Sequence, residues 1–161
     1  SIAMRESLYA FPVLLTIHLI SLATFAGLVV MMDLRLLGVA YRGTPFSEVQ
    51  ARLFPWQMVG FVVSAVTGGL LFYADPMRFY VNFYFWLKNL FMVLAGINIW
   101  YFHTKTYQTV EQWNTDPMPP LAARTAGYVS IAFWAGVIIL GRMIAYSGLV
   151  PQWWLDLGLQ G

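Results

Sequence analysis

Four long apolar runs dominate the chain: Leu8 to Met32, Phe54 to Ala74, Tyr80 to Phe102 and Thr125 to Tyr146. Counted between those ends they hold 25, 21, 23 and 22 residues. About 20 helical residues cross the hydrocarbon layer of a bilayer. With no water there, a spanning backbone must satisfy its own polar groups, which leaves helices or closed barrels. These runs lack the period-two alternation of barrel strands. The sequence therefore predicts an all-α fold: a single membrane domain, a four-transmembrane-helix bundle with short loops. The expected helices lie at about 8–38, 54–74, 80–103 and 125–147.

Composition agrees. Sixty per cent of the 161 residues are hydrophobic and 10% are charged, against about 25% charged in soluble domains. That excludes an ordinary water-soluble enzyme and a nucleic-acid binder, and makes the lipid bilayer the first expected partner. There is no cysteine, so disulfides, thiolate metal sites and Cys-attached haem are excluded.

The connections carry turn chemistry. Arg42-Gly43-Thr44-Pro45 breaks the chain after the first helix and Asp75-Pro76 after the second. The longest loop is expected from Thr104 to Arg124, around Asp116-Pro117-Met118-Pro119-Pro120. Gly148 and Pro151 end the fourth span. Gln152-Trp153-Trp154-Leu155-Asp156-Leu157 then reads as a C-terminal interfacial segment, since Trp favours the headgroup zone. The first run is too long for a signal-peptide core and runs on into Asp33 and Arg35, so it reads as an uncleaved span. Arg35, Arg42, Arg52, Lys105 and Arg124 fall on one side of the bundle, Arg5 and Arg78 on the other. The positive-inside rule puts the first side in the cytoplasm, with both termini periplasmic if the membrane is a bacterial inner membrane.

At about 100° per residue, each helix gathers its ionisable groups on one stripe: His18, Phe25, Met32 and Asp33; Gln57, Ser64, Gly68 and Asp75; Lys88, Met92, Gly96 and His103; Arg124, Tyr128, Ala135 and Arg142. Such groups avoid lipid and face a bundle interior. His18 lies about 10 Å below one surface, with Lys88 and Arg142 shallower on the same side; His103, Asp33 and Arg35 lie toward the other.

The outer group suits haem b: His18 as axial metal ligand, Lys88 and Arg142 for the propionates, and Met92 as a sixth ligand. His103 is separated from His18 by roughly 15–20 Å of depth, so the two do not clamp one iron. The same donors suit a quinone head group, with His103 among the candidate cofactor contacts. The plainer readings are interhelical hydrogen bonding for His18, snorkelling for Lys88 and Arg142, a solvated helix end for His103, and a structural charge network for Asp33 and Arg35.

Phe11-Pro12, His18, Gly27 and Asp33-Leu34-Arg35-Leu36-Leu37-Gly38 resemble a widespread bacterial family of four-helix membrane proteins of unknown function. So do Thr67-Gly68-Gly69-Leu70-Leu71-Phe72, Asn82-Phe83, Lys88, Ala95-Gly96-Ile97-Asn98, Phe102-His103 and Gly141-Arg142-Met143-Ile144-Ala145-Tyr146. The resemblance covers nearly the whole chain. It extends loosely to small b-type cytochromes and copper-resistance D-type membrane proteins, and it implies motif positions for His18, Asp33, Arg35, Lys88, His103 and Arg142. Unlike a b-type cytochrome, the chain has no second His level with His18. The expectation from all of this is an electron-transfer subunit that binds haem b and links an outer redox partner to the quinone pool, together with other membrane or periplasmic subunits. The alternatives are a non-catalytic scaffold of a larger membrane complex and a small transport component.

Overall fold

The computed structural model describes residues 9–146 and 150–157. Arg5, the expected helix start at residue 8, the helix end at 147 and Gly148 lie outside the described residues. The chain is all-helical: α1 Ala10–Leu36, α2 Phe46–Ala74, α3 Pro76–Tyr80, α4 Phe83–Tyr101, α5 Val110–Trp113, α6 Leu121–Met143 and α7 Gln152–Leu155. A π-helical turn, Phe102–Thr106, and a 3-10 turn, Tyr107–Thr109, join α4 to α5 without a break. Four stretches are long and apolar enough to cross a membrane: α1, α2, the α4–α5 continuum and α6. Their outer faces carry large exposed apolar side chains, such as Trp56, Val66, Val93 and Ile139, which in a bilayer meet acyl chains. The protein is a multi-pass membrane protein.

Several boundaries differ from the sequence expectation; the fourth span runs Leu121–Met143 and not 125–147. α2 begins at Phe46, not near residue 54. Its first turns hide Glu48 and Arg52, whose charges resemble a loop. They pair at i, i+4 across 2.6 Å on the exposed face and support the helix. Pro55 sits inside α2, which membrane helices tolerate when neighbouring groups satisfy the freed carbonyl. The third span does not end near 103. It continues to Trp113 because Phe102, Tyr107 and Trp113 pack their rings around Phe46. The long loop expected from 104 to 124 shrinks to residues 114–120.

Going round the bundle, α2 packs on α1, α1 on α6, and α6 on α4, while α2 and α4 scarcely touch. Close approaches fix this order. A Cβ at Gly60 would come within 3.0 Å of Phe25 Cβ, and one at Gly127 within 3.2 Å of the Asp33 carbonyl oxygen. Gly127 therefore decides which face of α6 turns inward. Ala126, Gly127, Ser130, Trp134 and Val137 are buried, whereas Tyr128 and Ile138 face outward. The inward stripe expected through Arg124, Tyr128, Ala135 and Arg142 is thus rotated away, because backbone contact with α1 outweighs the placement of two end cations.

The end of the bundle that carries residues 37–45 and 114–120, here the loop end, is held by one side chain. Arg35 is fully buried. Its Nε donates to the Thr44 carbonyl at 2.9 Å, and Nη2 donates to the Asn114 and Asp116 carbonyls at 3.3 and 3.0 Å. Asn114 in turn caps α2: its Oδ1 accepts from the Ser47 N–H at 2.8 Å, and its carbonyl accepts from the Phe46 N–H. Gly38 closes α1. It adopts φ +70°, with its N–H on the Arg35 carbonyl and the Val39 N–H on the Leu34 carbonyl, the paired bonds of a Schellman cap. A Cβ there would also lie 2.9 Å from the Pro117 carbonyl oxygen. Asp33, Arg35 and Gly38 of the DLRLLG stretch thus each have a separate task. At the opposite, terminal end, Asn82 caps α4 and donates to the Ile144 carbonyl at 3.2 Å. Trp154 of α7 donates to the Val81 carbonyl at 2.8 Å.

Candidate functional site

The missing contact between α2 and α4 leaves a slot. A cavity of about 510 Å³ occupies it, within the range of about 300–1,000 Å³ usual for small-molecule sites. α1 and α6 form its back wall through Phe25, Val29, Ser130 and Trp134. α2 supplies Phe54, Met58 and Phe61 along one side, and α4 supplies Met92, Val93 and Gly96 along the other. Phe54, Phe61 and Val93 are also exposed on the outer surface, so the slot opens sideways toward lipid. From Asn89 to His103 the α4 side of the cavity runs 14 residues, about 20 Å of helix. Gly96 leaves room: a Cβ there would meet nothing within 4 Å.

Polar groups gather at the loop end of this slot. Asp33, Gln50 and His103 line it, with Ser130 of α6 also among the lining residues. The hydrogen-bond pattern fixes their polarity. His103 Nδ1 lies 3.0 Å from the Ile99 carbonyl oxygen, so Nδ1 carries the proton and donates. In the neutral ring Nε2 is then an acceptor, and the Gln50 amide nitrogen lies 3.4 Å from it. That leaves Gln50 Oε1 buried with no hydrogen-bond partner, and the same is true of Asp33 Oδ2 and Trp134 Nε1. Asp33 and Trp134 are 3% and 5% exposed. Buried polar atoms are normally satisfied; among the described residues Arg35 Nη1 and Arg124 Nε, away from the cavity, are unpartnered as well.

The five cofactor contacts expected from the sequence do not converge. Met92 and His103 line the cavity, whereas His18, Lys88 and Arg142 do not. His18 sits in the α1–α2 seam. Its Nδ1 donates to the Ser64 carbonyl at 3.0 Å, with Thr67 Oγ1 equally near. Its ring edge fills the notch left by Gly68, where a Cβ would come within 3.0 Å of Cε1. Ser21 and Ser64 continue this polar seam at 2.9 Å. Lys88 lies along Gly141 of α6 and within electrostatic reach of the His18 ring. Arg142 is exposed, its guanidinium 5.7 Å from the Tyr146 ring centre. Neither cation stands over a cavity lined by His18, so the geometry does not fit a haem with His18 as axial ligand and Lys88 and Arg142 on its propionates. Among the described residues no cluster of three or more His, Asp or Glu could hold a metal ion.

Asp33 and Arg35 do not pair with each other either. Two residues apart on one helix, they point to different sides: Arg35 to the loop carbonyls, Asp33 into the slot. The reading of a joint charge network is corrected to one structural cation and one cavity-facing carboxyl. The residues the sequence reading passed over are the amides Gln50, Asn89 and Asn98. Asn89 and Asn98, uncharged amides inside the third apolar run, were an available signal, whereas Gln50 lies before the expected start of the second span. Asn98 spends its Nδ2 on the Ala126 carbonyl at 3.0 Å, and Asn89 on the Phe85 carbonyl at 2.8 Å.

Residues 6–147, which contain all four spans and every residue lining the slot, match the model of a family described as of unknown function, DUF6644. The chain belongs to this family. No curated protein and no solved structure matches it. Family membership therefore supplies no activity, and function has to be argued from the slot.

The seam assignment of His18 is directly testable. His18→Leu removes an interhelical donor and is expected to destabilise the bundle by about 0.5–1.5 kcal/mol, read as a lower unfolding midpoint. Occupancy of the slot by ligand should not change. A variant that folds normally but loses bound ligand would return His18 to the site.

Proposed function

We propose that this chain is a quinone-binding, membrane-embedded subunit of an electron-transfer complex. The observation that carries the proposal is the slot between α2 and α4: open to lipid, walled by apolar side chains, with the polar residues Asp33, Gln50 and His103 at one end. A ligand for it must travel in the bilayer, fill an elongated apolar volume and bring a polar head. A quinone with an apolar tail answers that description. Its head would lie between Trp134 and the group of Asp33, Gln50 and His103, with its tail along the slot or through the gap between the helices. Asp33 and His103 are groups able to hold or release protons at that end, which quinone chemistry requires. In the orientation set by the loop charges, this end faces the cytoplasm of a bacterial inner membrane. Short loops leave little soluble chain to hold a redox centre, so the electrons would come from partner subunits. The residues expected to hold haem do not come together.

The test is chemical analysis of the purified protein. Extraction in a mild detergent, followed by mass spectrometry of the lipid fraction, is expected to return roughly one quinone per chain, enriched over the bulk membrane. A quinone content no higher than that of co-extracted lipid would remove the reading. Intact co-purification of other subunits in that case would support the scaffold alternative. A visible spectrum with a Soret band would restore a haem centre.

A further inference from the structure

Toward the loop end, a second crevice of about 280 Å³ adjoins the slot, lined by Ser47, Gln50, Ala51, Phe54 and Pro55 of α2 and by Tyr107. Three of these residues bring hydrogen-bonding groups that the fold leaves unspent. The Asn114 Oδ1 accepts from the Ser47 N–H, so the other end of that amide, Nδ2, donates to Ser47 Oγ at 2.9 Å. Ser47 Oγ therefore accepts within the chain, and among the described residues its own O–H has no acceptor. Ser47 is partly exposed. The Tyr107 hydroxyl likewise has no partner among the described residues, and it is not enclosed. The Ala51 carbonyl is free for a different reason. Four residues on stands Pro55, inside the helix, with no N–H to donate to it. Ala51 and Pro55 are both exposed. The crevice thus offers two hydroxyl donors and one backbone acceptor. Its level is marked by exposed aromatics: Trp56 beside Pro55, and Trp100 and Tyr101 within about two turns of Tyr107. Such side chains favour the head-group zone of a bilayer.

We infer that this crevice binds the head of a phospholipid carrying a primary ammonium, of the phosphatidylethanolamine class. The phosphate oxygens accept from the Ser47 and Tyr107 hydroxyls, and the ammonium donates to the Ala51 carbonyl. Ser47 and Ala51 are one helical turn apart, about 6 Å along the axis, which a two-carbon link between phosphate and ammonium covers together with its hydrogen bonds. No charged side chain lines the crevice, and the neighbouring Arg52 is paired with Glu48, so a head of zero net charge fits and an anionic one meets no free cation in the lining. A choline head carries the same phosphate but has no N–H, and it leaves the Ala51 carbonyl unserved. A site built to bond an N–H rejects the analogue that lacks it. Pro55 then has a positive role: it withholds a helix bond so that a backbone acceptor stays open to a ligand. The inference goes beyond the quinone reading and does not depend on it, since the crevice and the slot share only Gln50 and Phe54.

The experiment is native mass spectrometry of the full purified chain in detergent, titrated in parallel with dioleoyl phosphatidylethanolamine, phosphatidylcholine and phosphatidylglycerol. The ethanolamine lipid is expected to be retained about three- to tenfold better than the choline lipid, the worth of one hydrogen bond. Pro55→Ala returns an N–H to the Ala51 carbonyl. It should bring the two lipids to equal retention while the unfolding midpoint holds or rises, because proline is the least favourable residue inside a helix. Tyr107→Phe should weaken both lipids by a similar factor and leave their ratio intact, since both carry the phosphate. Equal retention on the native chain, preference for the glycerol lipid, or an ethanolamine preference that survives Pro55→Ala each overturns the inference. Should Tyr107→Phe fail to fold, the ratios on the native chain and on Pro55→Ala decide the matter. Quinone content of the extract is a separate measurement, so this site and the slot can fail independently.

Discussion

Arg35→Met is expected to be the most damaging single substitution outside the slot. The native guanidinium is fully buried and gathers carbonyls from two loops, Thr44 on one and Asn114 and Asp116 on the other. Methionine fills similar space but removes the donor from the Thr44 and Asp116 carbonyls, while the Asn114 carbonyl keeps the Phe46 N–H. Hydrogen bonds to a charged group contribute about 1.5–3 kcal/mol each, and a buried acceptor left unpaired costs about 1–3 kcal/mol. Water at the membrane edge recovers part of that loss, so the expected net destabilisation is about 3–5 kcal/mol, a large share of the roughly 5–15 kcal/mol typical of a domain. The measurement is the unfolding midpoint in detergent, or the yield of monodisperse protein. Arg35→Lys should rescue poorly, because a point charge cannot reach carbonyls on two loops as a planar fork does. An Arg35→Met variant as stable as the native chain would mean that the loop end is held by its apolar cluster of Phe46, Phe102 and Trp113 alone.

That substitution also shows what could be read from the sequence. The four spans were legible because hydropathy and length are local properties and the bilayer sets a fixed thickness. The ends of the second and third spans were not. Glu48 and Arg52 resemble loop residues until their i, i+4 pairing is seen, and the helix beyond Phe102 exists because distant Phe46 covers it. Arg35 was picked out as structural from its position beside Asp33, but its partners lie as far as 81 residues away along the chain. The site was the least legible feature. Charge drew attention to His18, Lys88 and Arg142, whereas the slot arises from which helices fail to pack. That is decided by close approaches at Gly60 and Gly127, and one sequence does not reveal which glycine meets which helix. Gly68 and Gly96 look alike in the sequence, yet the first is filled by an imidazole and the second faces open space.

That last contrast supplies the functional counterpart to Arg35. Gly96→Phe should abolish ligand binding, by about 100-fold or more, without unfolding the protein. Gly96 lines the slot, and a Cβ there meets nothing within 4 Å. A phenyl ring at this point occupies volume in which the ligand would lie. The backbone gains from the change, since glycine inside a helix is less favourable than alanine by about 0.8–1.0 kcal/mol and than phenylalanine by less. The unfolding midpoint should therefore hold or rise slightly while bound quinone disappears from the extract. Gly96→Ala, which adds one methyl group, should keep most of the binding. The opposite substitution pattern is expected at Gly127, where a Cβ presses on the Asp33 carbonyl: Gly127→Leu should lower stability, because the α1–α6 contact has no room for it. If Gly96→Phe retains a full complement of ligand, the slot is not where the ligand sits, and the roles argued for Asp33, Gln50, His103 and Trp134 fall with it. If it unfolds, the space beside α4 is already filled by packing, and the lateral opening between α2 and α4 is not a binding site.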